Sequence, residues 1–212
     1  MKRALTLQIL FLTLFGCRQP SSSEPKPAAG GSTFSFVQIT DTHLKEPEHW
    51  RRTHQVIRRI NALPFKVDFV IHTGDIFMDN IATPGVPERA RKLFQELKIP
   101  IHFLAGNHDI LAGDREKTRR LMEKHFGPPA SAFLHKGVWV VTLYTESLAG
   151  RVALPGHDPI RALSRVLARR SGEPVLLFHH APSTPDFYNG RFHRPWRSGT
   201  GFPASLWPCT AS

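Results

Sequence analysis

The chain has 212 residues, 41% of them hydrophobic, which is enough to bury the core of one ordinary domain and too much for a wholly disordered polymer. Lysine and arginine number 28 against 17 acidic residues, and the resulting balance of +11 suits either phosphate-rich partners or a solvated basic surface. With only Cys17 and Cys209 present, a disulfide framework is not expected to hold the fold.

In chain order, Lys2 and Arg3 come first, followed by an apolar run from Ala4 to Phe15. A membrane span needs about 20 apolar residues, so this shorter run reads as the core of a signal peptide over residues 1–16. It ends Leu14-Phe15-Gly16-Cys17, which resembles the lipobox of bacterial lipoproteins. The resemblance implies that Cys17 is lipidated and becomes the new N-terminus. Arg18 stands where an Asp would resemble an inner-membrane retention signal. Residues 17–33 then read as the lipidated cysteine and a Pro-, Ser- and Gly-rich tether. The expected location is the bacterial cell envelope, with the domain held at a membrane by its lipid.

From Thr33 the pattern changes. "FSFVQIT" alternates and predicts a strand. Residues 48–63 predict a helix with Trp50, Val56, Ile57 and Ile60 near one face. Its Arg51, Arg52, Arg58 and Arg59 form a solvated face able to touch anionic head groups. "VDFVIHTGD" predicts a short buried strand, and residues 86–97 a helix with Pro87 in its first turn. "IPIHFLAGNHD" is again a strand, and residues 114–126 a helix capped by Asp114 and stopped by Gly127. "AFLHKGVWVVTLY" predicts two strands around a Lys136-Gly137 turn. Residues 159–172 predict a helix ending at Gly172, and "PVLLFHHAP" a last strand. Strands alternating with helices give an α/β class, in one domain from residue 34 to the end.

Polar residues gather where these strands end: Asp41-Thr42-His43, Gly74-Asp75, Gly106-Asn107-His108-Asp109 and His179-His180-Ala181-Pro182. That edge is where ligands bind in open α/β sheets. Gly106 lets the backbone turn there without a Cβ clash. Carboxylate, imidazole and amide oxygen suit Mn, Fe or Zn, and the lack of thiolate excludes a Cys-rich structural zinc site. Asp75 has oxygens enough to bridge two ions, and ions about 4 Å apart can hold a bridging hydroxide and a phosphate under in-line attack. Singly the motifs are weak, since Asp-x-His occurs by chance and Gly-Asp is usually a turn. Four in this order, each after an apolar strand, are specific.

The set resembles the calcineurin-like metallophosphoesterase superfamily over residues 34–183. The resemblance implies two facing mixed β-sheets flanked by helices. It implies two divalent ions (Mn, Fe or Zn), Asp41 and His43 on the first, Asp75 bridging, Asn107 and His180 on the second. His108 becomes the catalytic histidine, stabilising the phosphate or protonating the leaving oxygen, with Asp109 orienting it. His179 packs or hydrogen-bonds behind the metal. The implied activity is metal-dependent hydrolysis of a phosphodiester or phosphomonoester by a metal-bound hydroxide. His72 reads as a core or supporting histidine, and His49, His54, His102, His125 and His135 as surface or packing residues.

One family motif, Gly-His-x-His after the His-x-Pro motif, is not found. "GHDP" at Gly156 comes too early and "GRFH" at Gly190 carries one His. After Trp196 the chain reads "RSGTGFPASLWPCTAS", without acidic residues or periodicity. The expectation is a chain truncated relative to its family, with last strands missing, residues 197–212 an aberrant tail and a shifted reading frame near residue 196. His193 as a substitute ligand is the milder alternative. A catalytically impaired, membrane-tethered binding or scaffold protein is the competing reading. Nucleic-acid binding rests on charge alone, and no reader motif supports a specific nucleic-acid partner.

Overall fold

Strands β1 (Phe36–Ile39), β2 (Phe69–His72) and β3 (Ile101–Phe103) pair in parallel in the order β1-β2-β3. All four residues of β2 are buried, as a central strand covered on both faces requires. β4 (Ala130–His135) and β5 (Val138–Leu143) form a hairpin, and β6 (Val175–Phe178) adds to β5 in parallel, so the second sheet is mixed. The first sheet, expected to be mixed, is wholly parallel among the described residues. This computed structural model describes residues 33–181. The signal segment, Cys17, the tether to residue 32, and the chain from Pro182 onward with His193, Cys209 and the tail lie outside the described residues.

Side-chain alternation decides the layers. One face of the first sheet presents Val37, Ile39, Val70 and Phe103 to helices α1 (Pro47–Asn61), α2 (Val86–Phe94) and α3 (Arg115–His125), which contribute Ile57, Phe94 and Met122. The opposite face turns Phe36, Phe69 and Ile71 toward Phe133, Val140, Leu176 and Phe178 of the second sheet. The outer face of that sheet gives Val141, Leu143 and Leu177 to Leu163 and Val166 of α4 (Pro159–Leu167). The order is therefore helices, sheet, sheet, helix. Phe69 sits at the sheet–sheet seam, stacked on Phe36 and edge-on to Phe133, both at 5.6 Å.

Local chemistry explains the element ends. On α1, Trp50, Ile57 and Ile60 are buried while Arg51, Arg52, Arg58 and Arg59 are exposed, as the periodicity predicts. Pro87 sits in the first turn of α2. Gly127, at φ +114°, ends α3 by donating its amide to the Met122 carbonyl. Asp114 holds the N-cap position of α3, but its side chain makes no capping bond; Thr118 bonds its carbonyl instead. α4 stops at Leu167, well before Gly172, because Arg169 and Arg170 donate to Val166 and Leu167 in tightened turns. Its cap is Asp158, whose side chain accepts from the Arg161 amide at 3.0 Å. Lys136 and Gly137 (φ +47° and +80°) make the two-residue hairpin turn. No described helix is long and apolar enough to cross a membrane.

Candidate metal centre

The loop after β1 runs beside the loop after β2 and extends their parallel pairing beyond the strands. Asp41 donates its amide to the Gly74 carbonyl at 3.0 Å, His43 to Asp75 at 3.0 Å and Leu44 to Ile76 at 2.7 Å. The loop after β3 closes in from the other side, and two glycines allow it. A Cβ on Gly74 would stand 2.7 Å from the Gly106 nitrogen and 2.8 Å from His180 Nδ1, while one on Gly106 would overlap Asp75 Oδ1. Asp41, His43, Asp75 and Asp79 adopt left-handed backbone (φ +54°, +47°, +55°, +61°). The other described non-glycine residue of this kind is Lys136 in its hairpin, so the strain concentrates at this edge.

Asp75 Oδ2 is the point of convergence. His180 Nε2 lies 3.5 Å from it, and the Nε2 atoms of His43 and His108 lie 4.0 Å from it. His43 Nε2 is also 3.5 Å from Asp41 Oδ1. Ligand atoms of Asp41, Asp75 and His180 fall within 4.8 Å of one another. The ring orientations fit a metal. His43 Nδ1 bonds the Phe77 carbonyl at 3.3 Å and His180 Nδ1 the Thr73 carbonyl at 2.9 Å. A carbonyl only accepts, so each Nδ1 carries a proton and each Nε2 faces the carboxylates. This oxygen-and-nitrogen set suits the divalent ions the sequence pointed to.

Electrostatics agree with the geometry. Burial alone would raise the Asp41 carboxyl, but bonds from His43 and Thr40 hold it at about 2. Burial opposes the charge on His180, yet the bond and charge of Asp75 push it up to about 9. Asp75 is lowered in turn, against its own burial, by His180. His43 is raised by its bond to Asp41. His72 is fully buried, and burial pulls it down to about 3, so it is neutral. Gly74 donates to His72 Nδ1, leaving Nε2–H to bond Thr42 Oγ1 at 3.0 Å. It thus ties the first two loops together from behind.

The site brings together Asp41, His43, Asp75, His108 and His180. Asn107 sits on the same turn and lines a neighbouring cleft of about 320 Å³. His179 bonds the Ala181 carbonyl at 2.7 Å and is not one of the clustered groups. Asp109 departs from its expected role. It is fully buried and accepts the Phe77 amide at 2.9 Å and the Gly106 amide at 2.8 Å, bracing two loops from inside. Burial, and then the charge of Asp75, push its carboxyl up to about 7. The carboxylate that meets the His108 ring is Asp79, with Oδ1 at 2.9 Å from Nδ1. Asp79 was missed, although its place four residues after Asp75, in one loop, was readable from the chain.

A family model described as Calcineurin-like phosphoesterase matches residues 34–203. A 3′,5′-cyclic adenosine monophosphate phosphodiesterase CpdA of Pseudomonas aeruginosa is 30% identical over 169 residues, covering 74% of this chain and 58% of the relative. A serine/threonine-protein phosphatase CPPED1 of Danio rerio is 25% identical over 186 residues, covering 72% of this chain and 59% of the relative. The chain thus spans a little over half the length of these curated relatives. A purple acid phosphatase from yellow lupin (Lupinus luteus) shares the fold at TM-score 0.53 and 15% identity, over 76% of this chain and 33% of that one.

Proposed function

The chain belongs to the calcineurin-like phosphoesterase family, and on that premise we propose that it hydrolyses phosphoester bonds with two divalent metal ions. Asp41 and His43 would hold one ion, Asn107 and His180 the other, with Asp75 shared. The convergence of three imidazole Nε2 atoms on Asp75 Oδ2 carries this reading. When bound, such ions supply positive charge to the phosphate and make water a stronger nucleophile. The chain's own residues do the rest. His108 supplies a proton to the departing oxygen from Nε2, and Asp79 holds its Nδ1 so that Nε2 faces the site. The names of the two curated relatives favour phosphodiesters and phosphoproteins as the substrate classes to test first.

The test is a titration of the purified, metal-stripped full chain with Mn²⁺, following bound metal and hydrolysis of bis(4-nitrophenyl) phosphate together. Two ions per chain, with turnover abolished by Asp75→Asn, would support the proposal. Turnover indifferent to Asp75→Asn, or no metal bound, would sink it.

The apolar run before Cys17 supports a lipid-anchored, envelope-facing location. If that is right, Cys17→Ser moves the protein from the membrane fraction to the soluble fraction. Unchanged partitioning would remove the anchor from the picture.

A further inference from the structure

The cleft beside the metal centre has a second side. Asp79 and Asn107 line it toward the site, Leu111 and Val152 give it apolar wall, and Glu146 and Arg151 supply the charge on its far side. At about 320 Å³ it falls at the lower end of the range of small-molecule sites, roughly 300–1,000 Å³. It is far larger than a phosphate oxygen or a methyl ester needs.

Arg151 is held in place from two directions. Its amide donates to the Glu146 carbonyl at 2.9 Å, and its Nη1 lies 3.4 Å from Glu146 Oε2. The Glu146 side chain is 0% exposed and that of Arg151 25% exposed, so the carboxylate is committed to the interior while the guanidinium still reaches solvent. Tyr144 fixes the next residue by donating its hydroxyl to the Val152 carbonyl at 2.9 Å. The buried carboxylate lies at ion-pair distance without a hydrogen bond to the guanidinium, so it partly offsets the arginine's charge and leaves the donors of the planar fork to a ligand. With the reacting phosphate served by the ions and His108 in the phosphoesterase reading, the arginine remains for other acceptors. It is well suited to hydrogen-bonding acceptors on whatever the phosphate is attached to.

Resting on the phosphoesterase reading, we propose that Arg151, positioned by Glu146, recognises the organic ester group of the substrate. The class selected is a phosphoester of a ring-bearing alcohol rich in hydrogen-bond acceptors, of the size of a nucleoside, in preference to a short alkyl ester. The apolar wall at Leu111 and Val152 receives the ring, and the guanidinium receives the acceptors.

The experiment compares two inhibitors of methyl 4-nitrophenyl phosphate hydrolysis by the Mn²⁺-loaded full chain: adenosine 5′-monophosphate, which carries the ring, and methyl phosphate, which does not. The informative variant is the double substitution Arg151→Met with Glu146→Gln, because removing the arginine alone would strand a buried carboxylate. Arg151→Lys, which keeps the charge and loses the fork, accompanies it, and thermal melts verify folding. The expected result is an inhibition constant for the nucleotide raised about tenfold in the double variant, the loss of one charge-assisted hydrogen bond. The constant for methyl phosphate should move less than about twofold, and Arg151→Lys should fall between. Constants that rise together, or a nucleotide constant that does not move, would overturn the inference. If the wild-type chain shows no turnover, the phosphoesterase reading fails on its own, and calorimetric binding of the two ligands reads the same ratio. Nucleotide binding lost only in the variant would then sustain the role of Arg151, and binding that is absent or indifferent to the variant would end it.

Discussion

His108 stands between two carboxylates, with Asp79 at 2.9 Å on Nδ1 and Asp75 Oδ2 at 4.0 Å from Nε2. Removing the ring deletes the proposed proton donor but none of the clustered carboxylates. His108→Ala is therefore expected to cut turnover about 100-fold or more while metal content, measured by elemental analysis, is kept. Asp79→Asn keeps the shape and loses the charge, and a smaller fall of about tenfold with an altered pH–rate profile is expected. A second prediction concerns protons and metal. In the metal-free chain Asp75 keeps His180 protonated up to about pH 9. An ion taking Nε2 must displace that proton, so Mn²⁺ affinity should fall about tenfold for each pH unit below about 9. Calorimetry at several pH values and in buffers of different ionisation heat would show both the slope and the released proton; a flat profile would mean His180 is not a ligand. The residue types of the site were legible in the chain, because metal chemistry restricts them. The partner of His108 was not. Asp109 is its neighbour in sequence, but a left-handed turn at Asp79 and two backbone amides claiming Asp109 decide the pairing in space.

The loops after β1, β2 and β3 act as one element, joined by Asp41–Gly74, His43–Asp75 and the Asp109 brace. Gly106 is where they are tightest, since a Cβ there overlaps Asp75 Oδ1. Gly106→Ala should therefore displace the Asp75 carboxylate, costing about 1–3 kcal/mol of stability in urea unfolding and weakening metal binding together. A variant that lost stability and bound metal normally would show that the loop yields without moving Asp75. Helix faces were legible because periodicity is local, and Trp50, Ile57 and Ile60 fall inside as read. Caps and ends were less so. Asp114 and Asp158 are equally good capping residues in isolation, and only the second finds its amide. Strand order was not legible either. The β4–β5 hairpin was readable from its Lys136-Gly137 turn, but that β6 adds in parallel to β5 is a long-range choice, made by which apolar face meets which.

At the scale of the molecule the candidate metal centre joins the two sheets. Asp41 and Asp75 follow strands of the first sheet, and His180 follows β6 of the second. Between the sheets lie Phe36, Phe69, Phe133 and Phe178, and cutting Phe69 to Ala would cost about 3–5 kcal/mol through the cavity it leaves. An ion that engages ligands from both sheets binds only the docked arrangement, so its binding energy becomes folding energy. Each Mn²⁺ ion at about 100 times its dissociation constant should stabilise the chain by about 2.7 kcal/mol, a rise in Tm of roughly 5–10 °C per ion that a chelator reverses. The position of His180 makes this specific. With His180→Ala the ion assigned to Asn107 and His180 would keep only its first-sheet partners, so its share of the shift should vanish at the same Mn²⁺ concentration while that of the Asp41–His43 ion remains. With Phe69→Ala the metal-free Tm should drop, yet the Mn²⁺-induced rise should survive once metal is raised to offset the weaker docking. A His180→Ala chain that gained the full shift would mean that both ions are held by the first sheet alone. The two sheets would then be coupled only through their aromatic seam.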